Sequence, residues 1–286
     1  MILILGKTGY LAQELISLLI EENVNYIALS RSETDYYDTN ILKNFIRKNN
    51  IKVLINCAGF IGKPSVDVAE IKKQETLNGN LILPILLTEV CKDTDIKFVH
   101  ISTGCIYQGD NDKKGWAEED KPNFTLNSGS SFYSGIKWEA EKIVKTYEKH
   151  YICRLRMPFN SINDSRNLIT KLRNYEFIWN DWNSFTEKRE FVNTLYNLFS
   201  QNHEYGTYNI CNPNPIWTKD IISLIQKYID TNKYFKYFDN LDEFFTKNTA
   251  PRSNCIMNTT KLKNIGLELS DSFESMEVAC RNYEKN

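Results

Sequence analysis

The sequence predicts an α/β protein with a Rossmann-type, doubly wound parallel sheet and a smaller C-terminal substrate lobe. Short apolar segments alternate with helical patterns through residues 1–158, which is typical of a parallel sheet covered by helices on both faces. The first apolar segment runs directly into a glycine-rich turn, and after residue 158 the chain becomes richer in asparagine and aromatic residues. We therefore place a dinucleotide-binding domain with the catalytic residues at 1–158 and a substrate-binding lobe at 159–286, from which some strands return to the main sheet.

Composition and charge are those of an ordinary globular protein with a small substrate. The chain is 42% apolar and 25% charged, with a net charge of −1. Because no basic block is interleaved with aromatic residues, we expect no nucleic-acid partner. The 7 cysteines are odd in number and form no Cys-x-x-Cys pair, which disfavours a disulfide framework and a zinc site. We expect no metal.

Hydropathy gives no sign of a membrane segment. The most apolar run, around Leu81 to Val90, is interrupted by Pro84 and is too short to span a bilayer. The first strand begins at Ile2, which leaves no room for a signal peptide before it. These features predict a cytoplasmic protein with no membrane partner, and they leave a homodimer open.

The first strand and its turn are typical of a phosphate-binding loop. Ile2-Leu3-Ile4-Leu5 leads into Gly6-Lys7-Thr8-Gly9-Tyr10-Leu11-Ala12, and a helical pattern follows. Gly6 can make the tight turn, Gly9 lets a pyrophosphate approach the backbone, and Ala12 permits close helix packing. A mere turn is the alternative interpretation. The predicted cofactor contacts are Gly6, Thr8, Gly9, Tyr10, Leu11 and Ala12, together with Asp38, Ala58 and Gly59 further along the chain.

The end of the second strand indicates which cofactor is used. The segment Asn25 to Ser30 is followed by Arg31 and Ser32, where a fold that prefers NAD usually places an acidic residue for the ribose hydroxyls. Arg31 suits a 2′-phosphate instead, so we predict NADPH. A solvated arginine after a strand is the alternative.

The remaining elements follow from periodicity. We predict strands at Lys52–Asn56, Lys97–Ile101, Tyr151–Arg156 and Thr207–Ile210, and helices at Asp38–Asn49, about Asn80–Cys91, near Asn167–Arg173, near Lys188–Ser200, after Thr218 and near Ser272–Tyr283.

Four side chains predict carbonyl chemistry. Ser102 and Thr103 follow the strand Lys97–Ile101, at the carboxyl edge where open α/β sheets bind ligands. Tyr133 and Lys137 are four residues apart, on one face of a helix. A nearby ammonium favours the ionised phenol and brings its pKa toward that of a proton relay, while Thr103 would hold a carbonyl oxygen against the phenol. This set predicts a carbonyl reductase in which a nicotinamide supplies hydride.

These residues have two other interpretations. Tyr133 and Lys137 taken alone also fit an ordinary amphipathic helix pair. His100 lies inside a predicted strand, and no serine in the sequence has a strand-turn-helix nucleophile elbow around it, so His100 is not interpreted as a hydrolase base.

At this level of detail the residues resemble a known family. Gly6-x-x-Gly9-x-x-Ala12, Thr103, Tyr133-x-x-x-Lys137 and Arg156-x-Pro158 together resemble the extended short-chain dehydrogenase/reductases, in particular those that make deoxyhexoses on nucleotides. Further motifs are Ala58-Gly59-x-x-Gly62-Lys63-Pro64-Ser65-Val66-Asp67, Thr103-Gly104-Cys105-Ile106, Glu118-Glu119-Asp120-x-Pro122-Asn123-Phe124, Ser131-Phe132-Tyr133-Ser134, Leu155-Arg156-Met157-Pro158, Arg166-Asn167-x-Ile169-Thr170-Lys171 and Ala250-Pro251-Arg252-Ser253-Asn254. These are similar to the bifunctional UDP-4-keto-6-deoxyglucose 3,5-epimerase/4-keto-reductases, which complete the synthesis of UDP-L-rhamnose.

The resemblance implies an activity and its partners. It implies NADPH as the cofactor and UDP-4-keto-6-deoxyglucose as the substrate. Plant members are often fused behind a 4,6-dehydratase domain, whereas this chain begins at its first strand. We therefore expect a separate dehydratase to supply the substrate.

The resemblance also implies roles for particular residues. Cys105 and Lys171 would carry protons during epimerisation, since neighbouring cations can lower the pKa of a thiol into a useful range; which of the two is the base stays open. Inert packing of Cys105 and a solvated helix lysine at Lys171 are the alternatives. Asn80 would hold the catalytic lysine and its water chain in place. Asn160, Arg166 and Arg252 would contact the UDP-sugar, and the planar fork of Arg252 suits a pyrophosphate.

Three functions are compatible with this pattern. The first is the bifunctional epimerase/reductase, and the second is a pure 4-keto reductase like the dTDP-4-dehydrorhamnose reductases, which the presence of Cys105 and Lys171 disfavours. The third is a non-catalytic NADP-binding regulatory subunit, which the intact set of Thr103, Tyr133 and Lys137 disfavours. The residues leave open whether the nucleotide is uridine or thymidine and in which order C3 and C5 are inverted.

Overall fold

The computed structural model describes residues 1–62 and 65–284. It shows the alternation of strands and helices that the sequence predicts. Lys63 and Pro64, part of one family-like motif, lie outside the described residues, as do positions 285–286. The strands are β1 (Ile2–Leu5), β2 (Tyr26–Leu29), β3 (Val53–Asn56), β4 (Lys97–Thr103), β5 (His150–Leu155), β6 (Pro158–Phe159), β7 (Phe177–Ile178), β8 (Trp182–Asn183), β9 (Thr186–Glu187), β10 (Gly206–Asn209), β11 (Ile216–Trp217) and β12 (Lys236–Tyr237). The helices are α1 (Tyr10–Glu21), α2 (Thr39–Lys48), α3 (Asp67–Ile71), α4 (Lys73–Leu77), α5 (Leu83–Thr94), α6 (Phe132–Val144), α7 (Leu168–Asn174), α8 (Lys188–Ser200), α9 (Thr218–Tyr228), α10 (Leu241–Lys247), α11 (Thr260–Asn264) and α12 (Ser272–Arg281).

The central sheet has six strands in the order β10-β5-β4-β3-β1-β2, and every neighbouring pair in it is parallel. Its strands are apolar on both faces because helices cover both. Ile2 and Ile4 pack in one cluster with α1 and α8, whereas Leu3 and Leu5 pack in a second cluster with residues of α2 and α5. The predicted doubly wound α/β class is confirmed.

The sixth strand of this sheet comes from the C-terminal half of the chain. β10 pairs with β5 in parallel, with Gly206 opposite Tyr151 and Asn209 opposite Arg154. The rest of that half builds a third apolar cluster from α7, α9 and α12, which includes Leu172, Ile221 and Met276. The C-terminal half therefore has a core of its own and is also joined to the main sheet.

Some boundaries differ from the sequence prediction. The fourth strand does not end at Ile101, because Ser102 and Thr103 continue the ladder opposite Arg154 and Leu155. The helix expected from about Asn80 begins instead as a π-helical turn over Asn78–Ile82, before α5. The short helices α3, α4, α10 and α11 were not predicted; each has five to seven residues, which gives little periodicity to detect.

The described residues also show whether the chain has membrane-spanning helices or disulfides. Within residues 1–62 and 65–284, no helix is long and apolar enough to cross a membrane. The cysteines at 57, 91, 105, 153, 211, 255 and 280 are all unpaired.

A buried ion pair fixes α6 to the sheet. Arg154 of β5 contacts Glu141 of α6 at 2.7 Å, and both side chains are fully buried. Ser102 donates a hydrogen bond to the Glu141 carboxylate at 2.5 Å, and Arg154 donates another to the Tyr107 hydroxyl at 3.0 Å. The carboxylate therefore joins α6 to both β4 and β5.

We predict that breaking this pair destabilises the protein strongly. Glu141→Leu leaves the Arg154 guanidinium buried without its partner, which costs about 3–5 kcal/mol of unfolding free energy. The double variant Glu141→Leu/Arg154→Met removes both charges and should recover much of that loss. Urea unfolding measures all three proteins.

The control for this experiment is on the same helix. Glu139 forms an exposed ion pair with Lys142, so Glu139→Leu should change stability little. Equal stabilities of Glu141→Leu and Glu139→Leu would contradict the structural role of the buried pair.

Candidate active site

The site lies at the carboxyl end of β4, where α6 begins. Ser131 caps α6, since its hydroxyl accepts a hydrogen bond from the amide of Ser134 at 3.2 Å, and Tyr133 therefore lies in the first turn. The Thr103 hydroxyl lies close enough to the Tyr133 phenol to lower its pKa. Thr103 also accepts a hydrogen bond from the amide of Cys105 at 3.1 Å. A hydroxyl, a phenol and a thiol thus meet at one edge of the sheet.

The loop that precedes α6 packs closely against the first turn of this helix. Gly135 of α6 lies under Leu126, and a Cβ at this position would lie 2.4 Å from the Leu126 side chain. Only glycine lets the loop pass so close to the turn that carries Tyr133.

Lys137 is buried one turn after Tyr133 and contacts the strand. Its ammonium donates a hydrogen bond to the Ile101 carbonyl at 2.8 Å and lies 3.2 Å from Nε2 of His100. Burial lowers the pKa of Lys137 to about 8. Burial and the nearby Lys137 hold the pKa of His100 well below its ordinary value, so the imidazole is neutral.

Asn56 determines which nitrogen of His100 carries the proton. The Asn56 carbonyl oxygen accepts a hydrogen bond from the amide of Ala58 at 3.1 Å, which directs its amide nitrogen to Nδ1 of His100 at 3.2 Å. Nδ1 is therefore the acceptor, and Nε2 carries the hydrogen that faces Lys137. This arrangement favours the neutral amine of Lys137. This contact was not predictable from the sequence, because the distance between a strand residue and a helix residue is set only by packing.

The electrostatics of Tyr133 differ from the expectation. Burial raises the pKa of the phenol and Cys105 adds to the rise, while the Thr103 hydroxyl and the Arg156 guanidinium lower it. The cation that acts on the phenol is thus Arg156 and not Lys137, whose ammonium contacts Ile101 and His100. Because burial prevails, the phenol stays protonated, as a proton donor must.

Cys105 contacts a buried guanidinium. Nη1 of Arg156 lies 2.8 Å from Sγ of Cys105, and the other end of the guanidinium donates a hydrogen bond to Asn183 at 2.8 Å. Cys105 is only half-buried, whereas five of the seven cysteines are buried completely. The thiol is therefore both accessible and next to a positive charge. The sequence marked Arg156 only as part of a motif and assigned it no role.

Lys171 lies on α7, on the lobe side of the structure. It is half-buried, and burial lowers its pKa although Asp164 opposes the change. Its side chain makes no hydrogen bond with Thr103, Cys105 or Tyr133 in the structure. The structure therefore brings Thr103, Cys105 and Tyr133 together. Burial lowers the pKa of Lys171, but its side chain is not bonded to these three residues.

The glycine-rich loop has the shape of a phosphate cradle. Gly6 has a φ of +83°, and a Cβ there would lie 2.8 Å from the backbone of Ala58. Gly9 caps α1 without a side chain, and the first turn of α1 carries no acidic residue. The amides of Tyr10, Leu11 and Ala12 thus begin a helix whose own first turn carries no carboxylate, and free amides at a helix start can bind an anion. These features fit a dinucleotide pyrophosphate.

The end of β2 carries an acidic residue after all. Arg31 is exposed, but Glu33 folds back so that its carboxylate accepts a hydrogen bond from the amide of Ser30 at 2.8 Å and pairs with Lys7. This acidic group was not predicted, because only the turn brings Glu33 back to the strand end. Glu33 is engaged by Ser30 and Lys7, and Arg31 is exposed.

Other predicted cofactor residues have local structural roles. Asp38 caps α2, since its carboxylate accepts hydrogen bonds from the amides of Asn40 and Ile41 at 2.9 and 3.0 Å. Gly59 lies against Asn80, where a Cβ would be 2.9 Å from the amide oxygen. Asn80 in turn binds the backbone of Phe60 in both directions, within the π-helical turn before α5. Asn80 thus holds the loop after β3, and its side chain does not contact Lys137.

Two predicted substrate residues join the lobe to the glycine loop. Asn160 accepts a hydrogen bond from the Tyr10 hydroxyl at 2.9 Å. Arg166 donates one to the Thr8 carbonyl at 3.0 Å and pairs with Asp164 at 2.6 Å. Their polar groups contact protein in this structure, so it places them at the junction of the two parts of the chain.

The guanidinium of Arg252 forms an ion pair with a carboxylate. Its guanidinium contacts Asp67 at 2.5 Å and also donates hydrogen bonds to Asn248 and Ala250. Asp67 accepts further hydrogen bonds from the amides of Thr249 and Ala250. The two oxygens expected from a pyrophosphate are thus supplied by Asp67, which belongs to the same family-like motif as Gly62 and Ser65.

Comparison with known sequences gives the family. The sequence matches the profile described as RmlD substrate binding domain over residues 1–177. A bifunctional dTDP-4-dehydrorhamnose 3,5-epimerase/dTDP-4-dehydrorhamnose reductase of Arabidopsis thaliana is 32% identical over 96% of this chain and 90% of its own length. A trifunctional UDP-glucose 4,6-dehydratase/UDP-4-keto-6-deoxy-D-glucose 3,5-epimerase/UDP-4-keto-L-rhamnose-reductase of the same plant is 33% identical over 96% of this chain, which spans 40% of that relative's length.

Comparison with solved structures supports the same fold. The L780 UDP-rhamnose synthase from Acanthamoeba polyphaga mimivirus has a TM-score of 0.89 at 24% identity, over 98% of both chains. The dTDP-4-dehydrorhamnose reductase from Bacillus anthracis in complex with NADP has a TM-score of 0.80 at 20% identity, over 97% of this chain and 96% of that one.

A doubly wound sheet with Thr103, Tyr133 and Lys137 at its carboxyl edge and a glycine loop after β1 defines a short-chain dehydrogenase/reductase. Within that class the chain belongs to the RmlD substrate-binding-domain family. Membership of this family identifies an oxidoreductase.

We predict a pH signature for the buried lysine. Burial lowers the pKa of Lys137 to about 8 from its ordinary value of 10.5, so between these values the unfolded chain binds more protons than the folded one. The stability of the parent protein therefore rises with pH across that window, whereas methionine does not titrate. The stability of Lys137→Met relative to the parent should be greatest below about pH 8 and should fall by up to about 3 kcal/mol as the pH rises to about 10.5.

Urea unfolding at several pH values between about 7 and about 10 measures this difference. Lys142→Met removes an exposed ammonium from the same helix and controls for the loss of a positive charge. A difference between Lys137→Met and the parent that is the same at every pH would contradict the prediction.

Proposed function

We propose that the protein is a bifunctional enzyme that inverts C3 and C5 of UDP-4-keto-6-deoxy-D-glucose and reduces the C4 ketone with NADPH to give UDP-L-rhamnose. The observation that carries this proposal is the Cys105–Arg156 contact at 2.8 Å, which adds an acid–base group to the same edge of the sheet as Thr103 and Tyr133. A pure reductase has no use for such a thiol. The bifunctional Arabidopsis relative, of which the chain covers 90%, supports the pairing of the two activities.

Reduction uses the hydroxyl groups at the end of β4. Bound NADPH supplies a hydride. Tyr133 gives its proton to the C4 oxygen as the hydride arrives at C4, so the ketone becomes an alcohol. The Thr103 hydroxyl, which lies near the phenol, holds the same oxygen, and the nearby Arg156 stabilises the negative charge that is left on the phenol.

Epimerisation needs no hydride. The C4 ketone acidifies the protons on C3 and C5, so a base can remove one of them while the electron pair moves into an enolate. Thr103 and Tyr133 hold the enolate oxygen. A proton from an acid on the opposite face then completes the inversion. Cys105 and Lys171 are the two proton carriers in this proposal, because one is a thiol beside a cation and the other a lysine whose pKa burial lowers.

The glycine loop and the end of β2 support NADPH as the cofactor. Gly6, Gly9 and the start of α1 would hold the pyrophosphate, and the exposed Arg31 would face a 2′-phosphate. The substrate in this proposal comes from a 4,6-dehydratase on another chain. The trifunctional relative carries that activity within its own length, of which this chain spans 40%.

We expect single substitutions to separate the two activities. Without NADPH, the parent should exchange solvent deuterium into C3 and C5 of the 4-keto sugar, as followed by NMR. Cys105→Ser keeps the size but loses the acidity of the thiol, so it should lose exchange at one or both carbons and still reduce a sugar that has already been epimerised. Lys171→Met should show a similar split, at the same carbon or the other.

Tyr133→Phe should affect the other activity, the reduction. It removes the proton donor and should lower the rate of reduction by about two to four orders of magnitude, while binding of NADPH persists because the ring still packs. If Cys105→Ser exchanges deuterium at both carbons as fast as the parent, the pure reductase becomes the better assignment.

Cofactor preference gives a separate prediction. Arg31→Ala should raise the KM for NADPH about tenfold or more, since a charge-assisted contact with a phosphate is lost, and should leave the KM for NADH almost unchanged. Arg47→Ala, which removes an exposed arginine of α2, is the control. Equal catalytic efficiency of the parent with NADPH and NADH would contradict this assignment.

A further inference from the structure

We propose that Asn56 and His100 are positioning residues for Lys137: Asn56 fixes the ring tautomer of His100, and His100 then donates a hydrogen bond to the Lys137 nitrogen, which favours the uncharged amine. Asn56 and His100 are each only 1% exposed, so they act on the reaction through Lys137. Only the reaction that Lys137 serves is taken from the proposed function.

Three polar side chains form a row on a face of the sheet that is apolar further back. Asn56 of β3 lies directly opposite His100 of β4, and His100 contacts Lys137 of α6. Two positions earlier on the same strands, Leu54 and Phe98 are paired and belong to an apolar cluster. All three polar side chains are buried, with Lys137 only 5% exposed. Burying polar groups costs free energy that apolar residues at these positions would not cost, so the row is better explained by function than by stability.

The backbone of the loop after β3 sets the orientation of the Asn56 side chain. Its Oδ1 accepts a hydrogen bond from the amide of Ala58 at 3.1 Å. Gly6 packs against that backbone, since a Cβ on Gly6 would lie 2.8 Å from Ala58, and the Ala58 amide is therefore held in place. An asparagine side chain has one acceptor oxygen and one donor nitrogen, so Nδ2 faces Nδ1 of His100, at 3.2 Å. Nδ1 must then accept, and the hydrogen of the neutral ring is on Nε2.

The nitrogen of Lys137 consequently has one acceptor and one donor as neighbours. The Ile101 carbonyl accepts a hydrogen bond from it at 2.8 Å, whereas the N–H at Nε2 of His100 faces it from 3.2 Å. A neutral amine has a lone pair that can accept this N–H, but an ammonium group has only donors. The tautomer of His100 therefore favours the amine.

The charges around Lys137 act in the same sense. Burial lowers the pKa of Lys137 to about 8, although Glu141, one turn further along α6, opposes the change. Arg154 of β5 pairs with Glu141 at 2.7 Å and takes up much of its negative charge. Burial and Lys137 keep the pKa of His100 low, and burial raises the pKa of Tyr133. Lys137 thus faces a carboxylate that is already paired, a neutral imidazole and a neutral phenol.

This environment gives Lys137 a role that an ordinary lysine cannot fill. With a reference pKa of about 10.4, a lysine stays charged throughout turnover near neutral pH. General acid–base groups work best when their pKa lies near the working pH. Asn56 and His100 bring Lys137 toward that range, so a proton can be bound and released beside Tyr133.

NMR of the parent with isotope-labelled histidine identifies the tautomer, because the shifts of the two ring nitrogens show which one carries hydrogen. The chain has 3 histidines, and the variants His150→Gln and His203→Gln assign the His100 signals by elimination. At about pH 7 the hydrogen of His100 should be on Nε2. Hydrogen on Nδ1 alone, or a doubly protonated ring, would overturn the inference without the need for any variant of the row.

Asn56→Asp should reverse the arrangement. A carboxylate only accepts hydrogen bonds, so Nδ1 of His100 should carry the hydrogen and Nε2 should accept from the Lys137 ammonium. NMR with isotope-labelled lysine follows the ionisation of Lys137, which Lys137→Met assigns. The midpoint should be about 8 in the parent and at least about one pH unit higher in Asn56→Asp. The same midpoint in both proteins contradicts the inference.

Two comparisons separate the tautomer from the added charge. Asn50→Asp places the same charge at an exposed position before β3 and should change neither the midpoint nor the tautomer. In Asn56→Asp the histidine spectrum should show the hydrogen on Nδ1. A higher midpoint with the hydrogen still on Nε2 would mean that charge alone acts on Lys137, and the role given to the His100 tautomer would fail.

The rate of reduction gives a further readout. His100→Phe removes the donor and should lower kcat about tenfold with little change in the KM for the keto sugar, because His100 is buried. His100→Gln can accept from Asn56 through its oxygen and donate to Lys137 through its nitrogen, so it should recover most of the rate. Thermal unfolding establishes that both variants are folded. Equal rates in folded His100→Phe and His100→Gln would count against the inference.

The spectra need no substrate and therefore separate this inference from the proposed function. A parent that has the expected tautomer but does not reduce the UDP-4-keto sugar contradicts the proposed function and leaves the roles of Asn56 and His100 standing. A parent that reduces the sugar while His100 carries its hydrogen on Nδ1 contradicts those roles and leaves the proposed function standing.

Discussion

The buried ion pair between Arg154 and Glu141 is the constraint on which the active site depends. Tyr133, Lys137 and Glu141 are spaced four residues apart on α6, so they lie on one face of the helix. Glu141 is the member of this row that is bonded to both neighbouring strands, through Arg154 and Ser102. Because Glu141 is held in this way, the rotation of α6 about its axis and its position relative to β4 and β5 are fixed. The phenol and the lysine are thereby held at the end of β4.

A second set of contacts joins the C-terminal half of the chain to the N-terminal half. Arg166 and Asn160 bind the glycine loop through Thr8 and Tyr10. Further along the chain, Asp67 binds Arg252. Polar side chains that were predicted to contact ligands thus make contacts between the two halves of the protein.

The two buried cations at this edge of the sheet have different partners. Lys137 contacts Ile101 and His100, whereas Arg156 contacts the half-exposed Cys105. Burial keeps Tyr133 protonated, as a donor to a ketone oxygen requires. In the function proposed here, reduction and epimerisation would use different groups around one C4 oxygen.

The sequence by itself determined the α/β class, the glycine loop, the row on α6 and the helix at Lys188–Ser200, because these depend on local periodicity and on residue types with few conformational choices. It also marked Cys105, through resemblance to a family. The return of Glu33 to the end of β2, the capping role of Asp38 and the pairing of Arg252 with Asp67 were not predictable in this way. Each depends on where a turn or a distant segment places a charge. Only the tertiary structure decided which cation meets which acid, because a contact such as Arg156 with Cys105 joins residues 51 positions apart.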